Sequence, residues 1–340
     1  MTTDLGASIR AAIDDKTKPR GALGRLEEVA AQLCLIQRTV APRLVSPTIL
    51  VFAADHGLAR EPVSAYPREV TAQMAANILA GGAGISVFAR QHGIAVVLVD
   101  AGVDWAGERP AGMVDCWMGP GTNSSLVGDA MTAGQVEACL AAGAGVVDQV
   151  ELGCTIIGFG ELGIGNTSSA SLLVHALTGI ALEDCVGPGT GLVGEGLARK
   201  LELLKRVRAR HPGPATPHQA LARFGGFEIA QMSGAMLRAY VTGRILMIDG
   251  FVATAALLVA HAVEPAIIDN AVFCHESGEP GHRLVLDHLG VEPLLRLGMR
   301  LGEGTGCAVA YPLIVSAAGF VREMASFSQA GVSTGAPEAA

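Results

Sequence analysis

The amino-acid sequence predicts an α/β fold, with a parallel sheet flanked by helices and a small helical domain formed by the two ends of the chain. Short apolar runs recur, each ends at glycine and a polar or acidic residue, and helical stretches follow them. Such alternation is typical of parallel strands joined by right-handed helical crossovers. Half of the 340 residues are apolar and 16% are charged, which is enough apolar material for a large core.

The predicted elements follow in chain order. Residues 22–37 place Leu26, Val29 and Leu33 on one face of a helix. Five apolar runs are strand candidates, at 48–54, 95–99, 154–159, 245–248 and 271–274. Helices are predicted between them, among others at 68–80, 167–177 and 252–262. The polar residues that end parallel strands meet at one edge of the sheet, so we expect a single ligand crevice there.

The two ends of the chain have helical patterns. Residues 1–44 precede the first strand, and the residues from Pro312 onward are again apolar at helical spacing. We therefore expect residues 1–44 and 312–340 to pack together as a small helical domain beside an α/β catalytic domain at 45–311.

Charge and composition argue against several classes of protein. The formal net charge of -8 disfavours a nucleic-acid partner, because phosphate backbones require a basic surface. The seven cysteines are scattered without the spacing of a metal site, which favours reduced thiols. No signal peptide is evident, and the longest apolar run, 251–263, is too short to cross a membrane. We expect a cytoplasmic protein without a membrane span.

Two glycine-rich stretches are candidates for binding an anion. In GELGIGNT (160–167), glycines let backbone N–H groups approach a phosphate, and Asn166 or Thr167 would cap the next helix. An ordinary tight turn explains this pattern equally well. GPGTGL (187–192) is followed by Lys200, which would reach a phosphate as a point charge. On spacing alone, a surface lysine is the favoured interpretation of Lys200.

Two histidine-containing stretches follow strands. HESGEPGH (275–282) lacks the HExxH spacing, and its glycines and proline preclude a helix that would align the histidines, so a metal site is disfavoured. The Ser277 hydroxyl and the N–H groups at Ser277 and Gly278 would instead make a second anion site. DHG (55–57) predicts a structural Asp–His pair, because the chain has no GxSxG nucleophile turn.

Three side chains suit a planar substrate. Tyr66 and Gln73 offer a flat ring and an amide for stacking and hydrogen bonding. Glu303 lies between glycines in LGEGTG (301–306). Burial among apolar residues would raise its pKa and make it a general base, and the glycines would leave space for a flat ring. A glutamate in a helix-capping turn is the alternative.

Together these motifs resemble those of the nicotinate-nucleotide–dimethylbenzimidazole phosphoribosyltransferase family, which acts late in cobalamin assembly. They run in family order and at family-like length, from Lys18 to about Pro312. The matching stretches are DHGLAREPVSAYPREVTAQM (55–74), GELGIGNTSSAS (160–171), GPGTGL with Lys200, GGFEIAQMSGAML (225–237), IDGFVATAALL (248–258), HESGEPGH (275–282) and PLLRLGMRLGEGTG (293–306). The combination is specific, although no single motif is.

The resemblance implies a Rossmann-like domain beside a small helical domain, a homodimer, and a reaction without metal or cofactor. The 5-phosphoribosyl group of nicotinate mononucleotide would pass to 5,6-dimethylbenzimidazole with inversion at C1′, giving α-ribazole 5′-phosphate and nicotinate. The family's general base matches Glu303, and Glu161 matches an acidic residue that would stabilise positive charge on the ribose. The phosphate-holding positions match Lys200, Gly163, Ser277 and Gly278, and the wall of the heterocycle pocket matches Tyr66, Gln73 and Leu301.

The chain also departs from the family pattern, at Ala65, Leu162, Ser168, Ser169, Pro188 and Cys274. Ala65 and Leu162 leave the acceptor open, because pockets of this family take benzimidazoles, purines or phenols in different members. Two other functions stay open: a non-catalytic nucleotide-binding relative and a nucleotide N-glycosidase.

Overall fold

Six parallel strands form one sheet in the computed structural model, which describes residues 2–333. The strands are β1 (Thr48–Ala54), β2 (Ala95–Gly102), β3 (Val114–Asp115), β4 (Ile156–Leu162), β5 (Ile245–Ile248) and β6 (Ala271–Phe273). Their order across the sheet is β3-β2-β1-β4-β5-β6, and every pairing is parallel. This is the Rossmann order, in which the direction of winding reverses between β1 and β4 and opens a crevice beyond the carboxyl ends of the strands. The predicted α/β fold with a parallel sheet is confirmed.

Burial explains how well the strands could be predicted. β1 and β5 match the predicted runs residue for residue, because all their side chains are buried and a strand covered on both faces is continuously apolar. β4 extends to Leu162, so Glu161 lies inside the strand, opposite Phe52 of β1, and not after the strand as the sequence suggested. The sequence does not predict β3, because its two residues form no apolar run.

Helices cover both faces of the sheet. The α-helices of the described residues are α1 (Thr2–Asp14), α2 (Arg25–Gln37), α3 (Val70–Leu79), α4 (Gly84–Gln91), α5 (Ala133–Gln149), α6 (Asn166–Thr178), α7 (Leu182–Cys185), α8 (Glu195–Arg210), α9 (Pro217–Phe224), α10 (Phe227–Val241), α11 (Phe251–Val263), α12 (Pro280–Leu289), α13 (Thr305–Glu323) and α14 (Phe327–Ala330). Two 3₁₀ helices span Gly57–Arg60 and Pro265–Asn270.

The sheet separates two hydrophobic cores. Alternate side chains of a strand leave opposite faces, so Leu50 and Phe52 of β1 enter one core with α5, α6, α10 and α11. Ile49 and Val51 enter the other core with α2, α4 and α13. Because both faces are covered, only the strand ends remain open for a binding site.

The two ends of the described chain meet. α1 packs on α2, and α2 packs on α13. Backbone hydrogen bonds join Thr17 N to Ala325 O at 3.1 Å and Phe327 N to Asp15 O at 3.0 Å. α13 is continuous from the strand-end crevice through Pro312, where the sequence placed a domain boundary. The division at 45 and 312 stays a prediction, and its last residues, 334–340, lie outside the described part.

Two helical stretches of the described residues are long and apolar enough to cross a membrane by length and composition alone, Val70–Gln91 and Thr305–Glu323. The first is two helices, because α3 ends at Leu79 and α4 begins at Gly84. The second is α13, which contributes Ala310, Ile314 and Ala317 to a core. Core helices of folded proteins pass the same test, so neither stretch is strong evidence for a membrane span.

Candidate active site

A cavity of about 120 Å³ opens beyond the carboxyl ends of β4, β5 and β6. Five of the nine predicted site residues line it: Glu161, Gly163, Ser277, Leu301 and Glu303. A larger groove of about 1460 Å³ lies beside the amino ends of β5 and β6, between α2 and the end of α10. None of the predicted site residues lines that groove, so the smaller cavity is the candidate active site.

Glu303 sits in an unusual backbone turn. Residues 302, 303 and 304 all have left-handed backbones, with φ of 83°, 63° and 81°. Glycine adopts this conformation freely, whereas a residue with a side chain loses about 1 kcal/mol. Three hydrogen bonds hold the turn: Glu303 N to Glu161 O (3.2 Å), and Gly304 N and Gly306 N to the carboxylate of Asp249 (3.0 and 2.6 Å). These hydrogen bonds therefore hold Glu303 in a left-handed backbone conformation that a glutamate does not favour.

The glycines of this turn bring it close to other functional groups. A Cβ atom at Gly302 would lie 2.4 Å from Glu161 Oε1, and one at Gly306 would lie 2.0 Å from the ring of His275. Gly304 is similarly close to Ile49, at 2.7 Å. Protein atoms thus fill the space that the sequence predicted for a flat substrate beside these glycines.

The Glu303 carboxyl group is buried and accepts a hydrogen bond from a backbone amide. Its side chain is 3% exposed, and Oε2 accepts a hydrogen bond from Ile85 N at 3.3 Å, at the start of α4. Burial raises the pKa of Glu303, the Ile85 amide opposes that change, and the negative charge of Asp249 adds to it. A carboxylate whose pKa is raised takes up a proton more readily than an exposed glutamate, which is the property that a general base requires.

Glu161 is a second acidic group in the cavity. Burial raises its pKa to about 8, with further contributions from the charges of Asp249, Glu228 and Glu303. The amide of Asn166 donates a hydrogen bond to Glu161 Oε2 and opposes the shift. The sequence predicted Asn166 or Thr167 as a helix cap, which is wrong: the N-cap of α6 is Gly165, without a side-chain cap.

Lys200 lies behind the cavity wall. Its side chain is 0% exposed, so the surface lysine that the spacing favoured is wrong. Nζ donates to Thr167 Oγ1 at 3.1 Å and to Gly187 O at 3.0 Å. Burial lowers the pKa of Lys200 to about 8, and the nearby Glu279 opposes this change. Thr167 and Glu279 line the cavity, so the ammonium group lies next to it.

The two amides of the 275–282 stretch that the sequence predicted as an anion site, those of Ser277 and Gly278, both have partners within the protein. Ser277 N donates to His282 Nδ1 at 2.8 Å, and Gly278 N donates to Met299 O at 2.8 Å. The anion site that the sequence predicted from these two N–H groups is therefore wrong in this respect, and only the Ser277 side chain remains. His275 faces Asp249, with Nε2 3.5 Å from Oδ1. No cluster of three or more metal-ligating side chains occurs within residues 2–333.

The expected Asp–His pair at 55–56 is also wrong. His56 Nε2 lies 2.6 Å from Glu228 Oε1, whereas Asp55 Oδ2 accepts from Asp104 N at 2.9 Å. Each side chain thus has a partner that is distant in sequence and that a local motif does not indicate.

The predicted base-binding residues are only partly brought together. Leu301 lines the cavity and is 58% exposed. Tyr66 is 55% exposed and Gln73 is exposed, and neither lines the cavity. The loop of Tyr66 is nevertheless held at the rim, because Ser64 Oγ lies 2.8 Å from the hydroxyl of Thr190, which lines the cavity. Their convergence on one ring stays a prediction.

Comparisons with known proteins show the family to which this chain belongs. A model of the family described as Phosphoribosyltransferase matches residues 1–332. The nicotinate-nucleotide–dimethylbenzimidazole phosphoribosyltransferase of Cupriavidus necator is 55% identical over 334 residues, covering 98% of this chain and 96% of the relative. The chain belongs to the nicotinate-nucleotide–dimethylbenzimidazole phosphoribosyltransferase family.

More distant members of this family match over similar lengths. The protein of the same name from Phocaeicola vulgatus is 45% identical over 321 residues, covering 94% of this chain and 93% of the relative. The crystal structure of CobT from Thermus thermophilus has a TM-score of 0.94 at 42% identity, and the match covers 98% of this chain and 100% of that one. The family predicted from the motifs is confirmed.

Arg300 is a cavity residue that the sequence analysis missed. Among the described residues that line the cavity, it is the only arginine or lysine, and its Nη1 donates to Gly189 O at 3.2 Å. It lies next to Leu301 at the start of the family motif LGEGTG. The sequence did contain a signal for Arg300: it is a permanent cation directly before a glycine-rich motif, in a chain with net negative charge.

The raised pKa of Glu161 predicts a pH dependence of stability. Between its ordinary pKa of 4.5 and about 8, the folded chain keeps a proton that the unfolded chain has lost. This contribution to the free energy of unfolding therefore falls as the pH rises through that window. Glu161→Gln carries no such proton. We expect the Tm of the variant, relative to the parent, to rise from about pH 5 to about pH 8 in thermal unfolding. A difference that stays constant across this range would contradict the assignment.

Proposed function

We propose that this chain transfers the 5-phosphoribosyl group of nicotinate mononucleotide to 5,6-dimethylbenzimidazole or a related base, giving α-ribazole 5′-phosphate and nicotinate. The observation that carries the proposal is the buried carboxyl group of Glu303, which has a raised pKa. A left-handed backbone turn holds this group at the cavity. Relatives that bear the name of this enzyme match nearly the whole chain, which supports the same substrates here.

Glu303 acts as the general base in this proposal. One ring nitrogen of the azole attacks C1′ of the ribose, while the other ring nitrogen loses its proton to the Glu303 carboxylate. The C1′–N bond to the pyridinium breaks, and its electron pair returns to the ring of the departing nicotinate. Attack from the face opposite the leaving group inverts C1′. A pyridinium is already a good leaving group, so no acid is required to expel it.

Glu161 faces the ribose and its cationic leaving group in this proposal. In the protein alone its pKa is raised to about 8, so its neutral form predominates at pH 7. A pyridinium ring bound nearby favours the carboxylate form, because opposite charges stabilise each other. The ionised Glu161 then stabilises positive charge that develops on the ribose. Asn166 holds the carboxyl group in place through its amide.

The nucleotide phosphate is assigned to the end of the cavity near Lys200. The family motif assigns the phosphate to Gly163, Lys200, Ser277 and Gly278. Lys200 is held there by Thr167, and the Ser277 side chain lines the cavity. Because the amides of Ser277 and Gly278 have other partners, we assign part of the phosphate contact to Arg300.

The acceptor base is assigned to the part of the cavity that Leu301 and Glu303 line, and the family motif adds Tyr66 and Gln73, which lie outside the cavity wall. Leu301 offers an exposed apolar side chain next to Glu303. We further propose that the protein works in the cytoplasm as a homodimer, as the resemblance implies, without a metal or cofactor. An acceptor panel of benzimidazoles, adenine and phenols in competition would identify the preferred base.

Two alternative functions have distinct signatures in one assay. Purified protein is mixed with nicotinate mononucleotide, with and without dimethylbenzimidazole, and released nicotinate is measured by chromatography. The transferase requires the acceptor for release. An N-glycosidase releases nicotinate without it, and a non-catalytic binding protein releases none in either case.

Glu303→Gln tests the proposed base. The amide keeps the size of the side chain and can still accept from Ile85 N, but it cannot take a proton from the azole. We expect kcat to fall by roughly 10²- to 10⁴-fold, while binding of nicotinate mononucleotide by calorimetry changes little. Glu151→Gln, at an exposed position, is the control and should keep parental activity. Near-parental turnover in Glu303→Gln would reject Glu303 as the base.

Arg300→Gln tests the phosphate assignment. Loss of a cation that contacts the phosphate should raise the KM for nicotinate mononucleotide roughly tenfold. The penalty should disappear with nicotinate riboside, which lacks the phosphate. Arg296→Gln is a matched control, because Arg296 is exposed and pairs with Glu276 at 3.1 Å. An equal penalty for nucleotide and riboside would assign Arg300 to another group of the substrate.

A further inference from the structure

A buried hydrogen-bonded group lies behind the cavity wall and has no part in the proposed chemistry. It consists of Ser169 on α6, His56 after β1 and Glu228 on α10. His56 Nδ1 lies 3.0 Å from Ser169 Oγ, and His56 Nε2 lies 2.6 Å from Glu228 Oε1. All three side chains are buried. We refer to them as the Ser–His–Glu unit.

The order hydroxyl, imidazole, carboxylate is that of a nucleophilic triad, but the surroundings exclude that role. None of the three residues lines the cavity. A Cβ atom at Gly226 would lie 2.4 Å from His56 Cε1, so the backbone at Gly226 packs directly against the imidazole ring. A substrate therefore has no access to Ser169. A buried polar network of this kind instead fixes the segments that it joins.

One segment that the unit fixes is the first turn of α6. This helix begins at Asn166, whose amide donates to Glu161, and the next residue, Thr167, accepts a hydrogen bond from Lys200. Ser169 follows two residues later on the same helix. Its hydrogen bond to His56 therefore helps to fix the positions of Asn166 and Thr167.

The unit also holds a carboxylate within electrostatic reach of Glu161. The groups that act on Glu161 are Asp249 after β5, Glu303 in the 302–304 turn, Asn166 on α6 and Glu228 on α10. Glu228 Oε2 has no hydrogen-bond partner among the residues that the structure describes. Glu228 is thus both the anchor of His56 and one of the charges that favour a protonated Glu161.

We propose that the Ser–His–Glu unit is a positioning device for the reaction: it fixes the first turn of α6 and, through Asn166, the orientation and protonation of the Glu161 carboxyl group. The inference deepens the proposed function and rests on it, because the consequence for turnover requires Glu161 to face the ribose. None of the three residues contacts substrate in this account.

Two neighbouring serines provide a matched test. Ser168 Oγ is buried and has no hydrogen-bond partner among the described residues, so Ser168→Ala should leave kcat and KM at parental values. Ser169→Ala removes the hydroxyl partner of His56. We expect kcat to fall roughly tenfold with little change in the KM for nicotinate mononucleotide, because the lost interaction orients a group that acts in the transition state. Equal kcat and KM in the two variants would overturn the proposal.

A second measurement is independent of turnover. Carbon-13 NMR of glutamate-labelled protein follows the titration of Glu161, whose signal is identified by its loss in Glu161→Gln. Glu228→Gln should move the titration midpoint of Glu161 to lower pH, because it removes a nearby negative charge. Ser169→Ala should move it to higher pH, because it weakens the hold of Asn166. Midpoints that stay at the parental value in both variants would overturn the positioning role.

The two measurements separate this inference from the proposed function. If the parent protein releases no nicotinate in the presence of both substrates, the proposed function fails. The carboxyl titration then decides the positioning role alone, with the Ser168→Ala variant as the reference for a change that leaves Glu161 unaffected.

Discussion

The two hydrogen bonds from the amides of Gly304 and Gly306 to the Asp249 carboxylate are the constraint on which the site depends. They join the end of β5 to the start of α13, a helix of 19 residues with no side-chain cap of its own. A negative charge at this end of a helix is also favoured by the helix dipole. Because the turn before α13 is held in this way, Glu303 keeps a left-handed backbone and its carboxyl group stays in the cavity.

The same arrangement sets the electrostatics of the site. Glu161, Asp249 and Glu303 lie close together and are largely shielded from water, so each negative charge makes the next less favourable. A cationic nucleotide relieves this repulsion. In the proposed function, this cluster of acidic groups, in which the pKa of Glu303 is raised, therefore also favours binding of a substrate with a positively charged pyridinium ring. The cations of the site, Lys200 and Arg300, lie toward the end assigned to the phosphate.

The sequence predicted those parts of the molecule that local pattern determines. The apolar runs of β1 and β5 gave their bounds, and LGEGTG and GELGIGNT led to two acids that do share a cavity. The sequence did not predict contacts between side chains that are distant along the chain. His56 and Glu228 are 172 positions apart, and the burial of Lys200 depends on Gly187 and Thr167 in two other segments. Hydrophobic periodicity and local motif spacing do not indicate contacts of this kind.

In the proposed reaction, Glu303 takes the proton of the acceptor azole. A crystal structure of the protein soaked with dimethylbenzimidazole and a nicotinate nucleotide would show whether the two groups meet. We expect a carboxylate oxygen of Glu303 within about 2.6–3.2 Å of a ring nitrogen of the azole. A Glu303 side chain directed away from that nitrogen, with no other acid within reach of it, would rule out this role.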